Sequence, residues 1–126
     1  MKRTIDAASF KEMLFMGAAL LEKNKQTIDA MNVFPVPDGD TGTNMSMTMQ
    51  RAVAEIKQQN PDTVEGIASA LSMGALKGAR GNSGVILSQI FRGYAKAFKG
   101  VKTDIDAKLL SSALSVGTEA AYKAVM

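Results

Sequence analysis

Two aspartates separated by a single glycine lie in the segment NVFPVPDGDTGTNM, residues 32–45. The two prolines of this segment fix the backbone φ angle and keep the approach to Asp38 out of a helix. Gly39 widens the local backbone freedom, so the carboxylates of Asp38 and Asp40 can turn toward one point. Paired carboxylates with open coordination positions are ligands that suit Mg²⁺.

A helical pattern begins directly after these acids. Met45, Met49 and Val53 recur every four residues, and Thr41 or Thr43 can cap the helix. Because a helix N-terminus attracts phosphate while the acids attract a hard cation, the segment can receive a metal–nucleotide complex. A simple turn whose aspartate caps a helix is the other interpretation, and residue chemistry alone leaves both open.

A second glycine-rich segment, GALKGARGNSG, covers residues 74–84 and precedes a hydrophobic helical pattern. It is neither a Walker A motif nor a dinucleotide fingerprint, because it has no Gly-Lys-Ser/Thr and no strand before it. One interpretation is a turn between helices with Asn82 or Ser83 as the N-cap. The other is an anion cradle in which backbone amides before Val85 and the Ser83 hydroxyl point at a phosphate.

Composition limits the chemistry of the chain. Its 126 residues include no cysteine and no histidine, which excludes disulfides, thiolate nucleophiles and imidazole as base or ligand. Any metal must therefore be bound by oxygen. Hydrophobic residues make up 46% and charged residues 21%, as in an ordinary globular domain.

The distribution of charge and hydropathy argues against two classes of partner. The net charge is +3 and the pI is about 9.3, but lysine and arginine are dispersed and aromatic residues are scarce, which disfavours nucleic acid. No apolar run approaches the roughly 20 residues of a membrane span, and no signal-type core follows Met1. We therefore expect a cytoplasmic protein.

Hydrophobic periodicity predicts five helices, over residues 6–31, 43–59, 63–77, 83–98 and 104–126. Thr63 is the predicted N-cap of the third, and either Asp6 or Ser9 can start the first. No segment alternates as a strand would, so the predicted fold class is all-α. The last helical pattern has no terminating signal, which predicts that the chain is a fragment.

Residues 32–45 and 74–93 resemble the nucleotide-binding L-subunit domain of dihydroxyacetone kinases, and most closely the N-terminal kinase domain of bacterial fatty acid kinases. The resemblance extends loosely over nearly the whole chain. It implies a helical barrel or bundle of about eight helices, about five of which lie in this chain. Residues 1–126 would then be the N-terminal part of an ATP-binding kinase domain.

The resemblance also implies roles for individual residues. Asp38 and Asp40 would be the catalytic metal ligands that hold Mg²⁺ against the β- and γ-phosphates of ATP. The third aspartate of the dihydroxyacetone kinase pattern falls at Val33, which leaves Asn32 as the nearest polar candidate for a third ligand. The residues that would contact phosphate are Thr41, Gly42, Thr43, Asn44, Gly81, Asn82 and Ser83.

The implied reaction transfers phosphate to the carboxylate of a fatty acid held by a separate lipid-binding subunit, giving an acyl phosphate. A carboxylate is ionised at neutral pH, so this transfer needs no strong general base. A dihydroxyacetone-type kinase subunit and a non-catalytic nucleotide- or phosphate-binding regulatory module are the alternatives. Apolar faces left exposed in a fragment favour self-association, for instance as a homodimer.

Overall fold

Five helices form the chain in the computed structural model, which describes residues 3–31 and 39–125. These helices are α1 (Ala7–Ala30), α2 (Thr41–Gln59), α3 (Val64–Gly78), α4 (Gly81–Ala97) and α5 (Ala107–Val125). The all-α prediction is confirmed, and each predicted helix is present with ends that differ by a few residues.

Two very short strands, β1 (Ile5–Asp6) and β2 (Asp104–Ile105), pair antiparallel with Ile5 opposite Ile105. Their pairing ties the start of α1 to the segment between α4 and α5. Two residues are too few to show strand alternation, so no sequence pattern predicts this pair.

Two of the predicted helix starts are confirmed by their caps. Asp6 is the N-cap of α1, and its Oδ1 accepts a hydrogen bond from the Ser9 amide at 2.7 Å. Thr63 caps α3 by accepting from the Gly66 amide at 3.0 Å. Side-chain oxygens in this position satisfy amides that a first turn leaves without helical partners.

The predicted caps of α2 and α4 are wrong. Asp40 occupies the N-cap of α2, so Thr41 and Thr43 lie inside its first turn. Arg80 occupies the N-cap of α4, so Asn82 and Ser83 are likewise helical. In both helices the chain turns helical two residues earlier than the sequence indicates. Contacts from other helices hold these starts, because the Thr43 amide donates to Asp29 of α1 and the Arg80 amide donates to Thr48 of α2.

Helices α1 to α4 run alternately up and down, and α2 packs against α1, α3 and α4. Alternation places the N-termini of α2 and α4 at the same end of the bundle, which we call the site end. The C-termini of α1 and α3 lie at this end as well. The topology thus brings the two glycine-rich segments of the sequence to one place.

The apolar core is concentrated away from the site end. Ile56, Val64, Ile67 and Phe98 are almost completely buried there. Phe10 packs edge-to-face on Phe98, with ring centroids 5.6 Å apart. Burying a side chain of this size stabilises the fold by about 1.5–3 kcal/mol, so this core can support a polar, glycine-rich site at the other end.

Apolar side chains are also exposed on two outer faces. Met13, Met16 and Leu20 form a stripe on α1, and Leu114 and Tyr122 lie on α5. Such faces are typical of contact surfaces, and the homodimer remains a prediction. None of the helices in the described part of the chain combines the length and apolar character that crossing a lipid bilayer requires.

Candidate nucleotide and metal site

The first turns of α2 and α4 lie side by side at the site end. A Cβ atom at Gly81 would overlap the side-chain amide of Asn44. The Ser83 hydroxyl donates a hydrogen bond to the Thr41 carbonyl at 3.3 Å. Residues from both predicted phosphate-binding segments are therefore in direct contact.

Thr48 holds these two helix starts together, although no sequence motif singles it out. Its side chain is fully buried, and its hydroxyl donates to the Asn44 carbonyl at 2.8 Å. The same oxygen accepts from the Arg80 amide at 3.2 Å. Gly84 lies against this hydroxyl so closely that a Cβ atom there would overlap it. The absence of a side chain at Gly84 and the hydroxyl of Thr48 together fix the position of the α4 N-terminus at the site end.

The N-terminus of α4 is open to an anion. Arg80 at its N-cap makes no side-chain cap hydrogen bond. Within the described residues the N-cap side chain leaves the amides of the first turn, Gly81 to Ser83, uncapped, so they are available to water or to a ligand. Gly81 adopts a positive φ of 66°, and both Gly81 and Asn82 are exposed. Free amides at the positive end of a helix dipole bind phosphate oxygens well.

The N-terminus of α2 is held in a different way, by a carboxylate from α1. Asp29 Oδ1 accepts from the Thr43 amide at 2.9 Å, and its Oδ2 accepts from the Thr43 hydroxyl at 2.5 Å. A Cβ atom at Gly42 would overlap the Lys25 carbonyl, so the glycine allows α1 this close approach. Asp40, at the N-cap itself, makes no side-chain cap hydrogen bond and is only partly buried.

The hydrogen bonds from Thr43 lower the pKa of Asp29 below its ordinary value, the hydroxyl contributing more than the amide. Asp29 is thus held as an anion at the positive end of α2. Sequence reasoning missed it, although one signal was present: an acid in the last turn of a helix opposes the dipole of its own helix. The carboxylate of such a residue can instead stabilise the N-terminus of a neighbouring helix.

The predicted metal ligands are only partly within the described residues. Asp38 and Asn32 lie outside them, whereas Asp40 lies at the site end next to Thr41. Across residues 3–31 and 39–125, no three acidic, histidine or cysteine side chains come together as a metal-binding group. The Asp40 carboxylate is therefore the described part of the predicted ligand set, and oxygen donors of this kind suit Mg²⁺.

A cavity of about 700 Å³ adjoins the site end between α2 and the α3–α4 connection. It is lined by Met47, Gln50, Arg51, Lys77, Gly78, Ala79 and Arg80. Among the described residues around it, Glu55 offsets one of the three cations, with its carboxylate 3.5 Å from the Lys77 ammonium. The remaining positive charge favours an anionic ligand group near the start of α4.

Comparison with known proteins identifies the family. The model of the DAK2 domain matches residues 35–126, which include Asp40 and both glycine-rich segments that meet at the site end. This chain belongs to the DAK2 domain family. The family is dihydroxyacetone kinase L-subunit-like and kinase-related. Asp29 precedes the part of the DAK2 domain that is matched.

Relatives of this DAK2 domain occur in bacteria. It is 52% identical over 124 residues to Protein YloV of Bacillus subtilis (strain 168), covering 98% of this chain. It is 45% identical over 122 residues, or 97% of the chain, to uncharacterized proteins of Staphylococcus aureus strains USA300 and NCTC 8325. The chain spans 22% of the length of each of these relatives.

Proposed function

We propose that this chain is the N-terminal part of the Mg-ATP-binding domain of a kinase that phosphorylates the carboxylate of a fatty acid. In this proposal a separate lipid-binding protein carries the fatty acid, and the product is an acyl phosphate. Asp38 and Asp40 hold Mg²⁺, with Asn32 as the candidate third ligand. The first turns of α2 and α4 hold the phosphates.

The observation that carries the proposal is the meeting of two helix N-termini at Gly81 and Asn44. Each helix dipole places about half a positive charge at its N-terminus, so two adjacent N-termini attract an anion, and Asp29 offsets only the charge of α2. A triphosphate supplies that anion. The donor set fits it, because the amides of the first turn of α4 bind phosphate oxygens and the Asp40 carboxylate suits the accompanying Mg²⁺.

The chemistry of the acceptor favours a carboxylate. Phosphoryl transfer depends mainly on positioning and charge neutralisation rather than on a protein nucleophile. This chain has no histidine to serve as a base, and a fatty acid carboxylate is already ionised at neutral pH. Membership of the DAK2 family also favours a second candidate, a dihydroxyacetone-type kinase subunit, whose hydroxyl acceptor has to lose a proton.

Calorimetric titration with a non-hydrolysable ATP analogue, with and without Mg²⁺, tests the nucleotide site. We expect Mg²⁺-dependent binding that is abolished by Asp40→Asn and by Asp38→Asn. Asp106→Asn is the matched control, because Asp106 caps α5 through the Leu109 amide at 2.8 Å, far from the site end. Binding that needs no Mg²⁺ and survives both substitutions would indicate a non-catalytic anion site instead. A wild-type chain that binds no nucleotide would contradict the proposal.

The acceptor is tested separately by trapping the product. Hydroxylamine converts an acyl phosphate to a hydroxamate but does not react in this way with dihydroxyacetone phosphate. We expect hydroxamate when the chain, Mg-ATP and a fatty acid bound to a lipid-binding protein are combined. Turnover with dihydroxyacetone and none with the fatty acid would establish the second candidate.

A further inference from the structure

Two carboxylates of α1 reach across to polar side chains of α2. Glu22 accepts a hydrogen bond from the buried hydroxyl of Ser46, and Asp29 accepts from the amide and hydroxyl of Thr43. Ser46 lies in the second turn of α2, whereas Thr43 lies in the first turn, three residues after the N-cap. Only the Asp29 contact therefore acts on the helix start that carries Asp40.

An aspartate at the N-cap ordinarily uses its own carboxylate to accept from the amide two or three residues later. Asp6 does so in α1, as does Asp106 at the start of α5. Asp40 is the exception, because the amide that it would bind, that of Thr43, already donates to Asp29. The usual capping site is therefore occupied by a residue from another helix.

We infer that Asp29 is a positioning residue that takes over the capping of α2 and so leaves the Asp40 carboxylate free to bind a divalent cation. The inference deepens the proposed function and rests on it. The close approach of α1 that this arrangement needs is allowed by Gly42, where a Cβ atom would lie 2.9 Å from Cβ of Ile28 and would also overlap the Lys25 carbonyl. Without Asp29, the Asp40 carboxylate would turn back to cap its own helix.

The test measures binding of Mn²⁺ alone to the 126-residue chain by electron paramagnetic resonance, with circular dichroism to verify folding. Asp29→Ala removes the substitute cap, and we expect Mn²⁺ affinity to fall about tenfold or more, as is usual when a group that orients a metal ligand is lost. Asp29→Asn keeps an acceptor for the Thr43 amide and should retain most of the affinity. Glu22→Ala, which removes the other α1 carboxylate, should leave the affinity unchanged.

These variants separate capping from charge. If Asp29 acted only as a nearby negative charge, Asp29→Asn would lose as much affinity as Asp29→Ala, and the inference would be overturned. If Asp29 were merely structural, Glu22→Ala would weaken Mn²⁺ binding to a similar degree.

If Asp29→Ala fails to fold, Thr43→Val tests the inference instead. This substitution removes the Thr43 hydroxyl, one of the two donors to Asp29, without changing any charge. We expect a smaller loss of Mn²⁺ affinity in the same direction, and unchanged affinity would overturn the inference. If the wild type binds the ATP analogue and Asp29→Ala binds Mn²⁺ as tightly as the wild type does, only the positioning role of Asp29 is refuted. If the wild type binds neither Mn²⁺ nor nucleotide, both the positioning role and the proposed function are refuted.

Discussion

The side-chain amide of Asn44 fills the space that a Cβ atom at Gly81 would need. Through this contact the first turn of α2 lies directly against the first turn of α4. The Gly81 backbone also has a positive φ of 66°, which residues other than glycine rarely adopt. Both the space and the backbone angle therefore require glycine at the point where the proposed phosphate site is assembled.

Replacing Gly81 with alanine should abolish or strongly weaken binding of the ATP analogue. The strained backbone costs about 1–2 kcal/mol, and the overlap with Asn44 pushes the start of α4 away from α2. Gly100→Ala is the matched control, because Gly100 also has a positive φ, of 83°, but no atom within 4 Å of the added Cβ. Urea denaturation should show a stability loss in both variants, larger in Gly81→Ala because of the added overlap, and calorimetry should show lost binding only in Gly81→Ala. Equal loss of binding in both would refute the role given to the Asn44 contact.

Gly93→Ala should destabilise the fold by about 1–3 kcal/mol, because the added methyl overlaps the Gly117 backbone where α4 crosses α5. Gly17→Ala is the opposite case, since the added methyl in α1 would have no atom within 4 Å. There the loss of backbone freedom in the unfolded chain should stabilise the protein by about 0.5–1 kcal/mol. Urea midpoints of the two variants should move in opposite directions. If the urea midpoint rose in Gly93→Ala as well as in Gly17→Ala, the α4–α5 crossing would tolerate a wider separation of the two helices.

Arg80→Gln should weaken binding of the ATP analogue about two- to fivefold, as expected for losing one exposed charge near an anion. Arg80 precedes the first turn of α4 and lines the basic cavity beside the site. Arg92→Gln removes the same charge from an exposed position further along α4 and should have little effect. Raising the salt concentration should reduce the difference between wild type and Arg80→Gln. Equal effects of the two substitutions would point to net charge rather than position.

Stability should fall at acidic pH through Asp29. Its folded-state pKa lies below the ordinary value because Thr43 donates two hydrogen bonds to the ionised carboxylate. The stabilisation is therefore fully present above about pH 4 and is lost as the pH falls through the folded-state pKa. In thermal melts, Asp29→Ala should have a lower Tm than wild type at pH 7, and the two curves should converge as the pH falls below about 4. A constant difference across this range would contradict the assignment.

The sequence was sufficient to predict the five helices but not the short β1–β2 pair. Apolar periodicity indicated five helices, and Thr63 marked the start of α3 correctly. These signals are local, because a helix depends on side chains three or four residues apart. The same reasoning placed the caps of α2 and α4 one to three residues too late. The contacts that decide those starts come from Asp29 and Thr48, which are distant in sequence.

By itself, the sequence determined which groups are available for chemistry: two aspartates around Gly39, glycines and hydroxyls before two helices, and no histidine or cysteine. Residue types and close spacing carry that information. Only the tertiary structure decided that the two segments meet at Gly81 and Asn44 and that Asp29, rather than Asp40, caps α2. The reason is physical: contacts between helices depend on how the helices pack, and periodicity within one helix does not reveal which residue of another helix faces it.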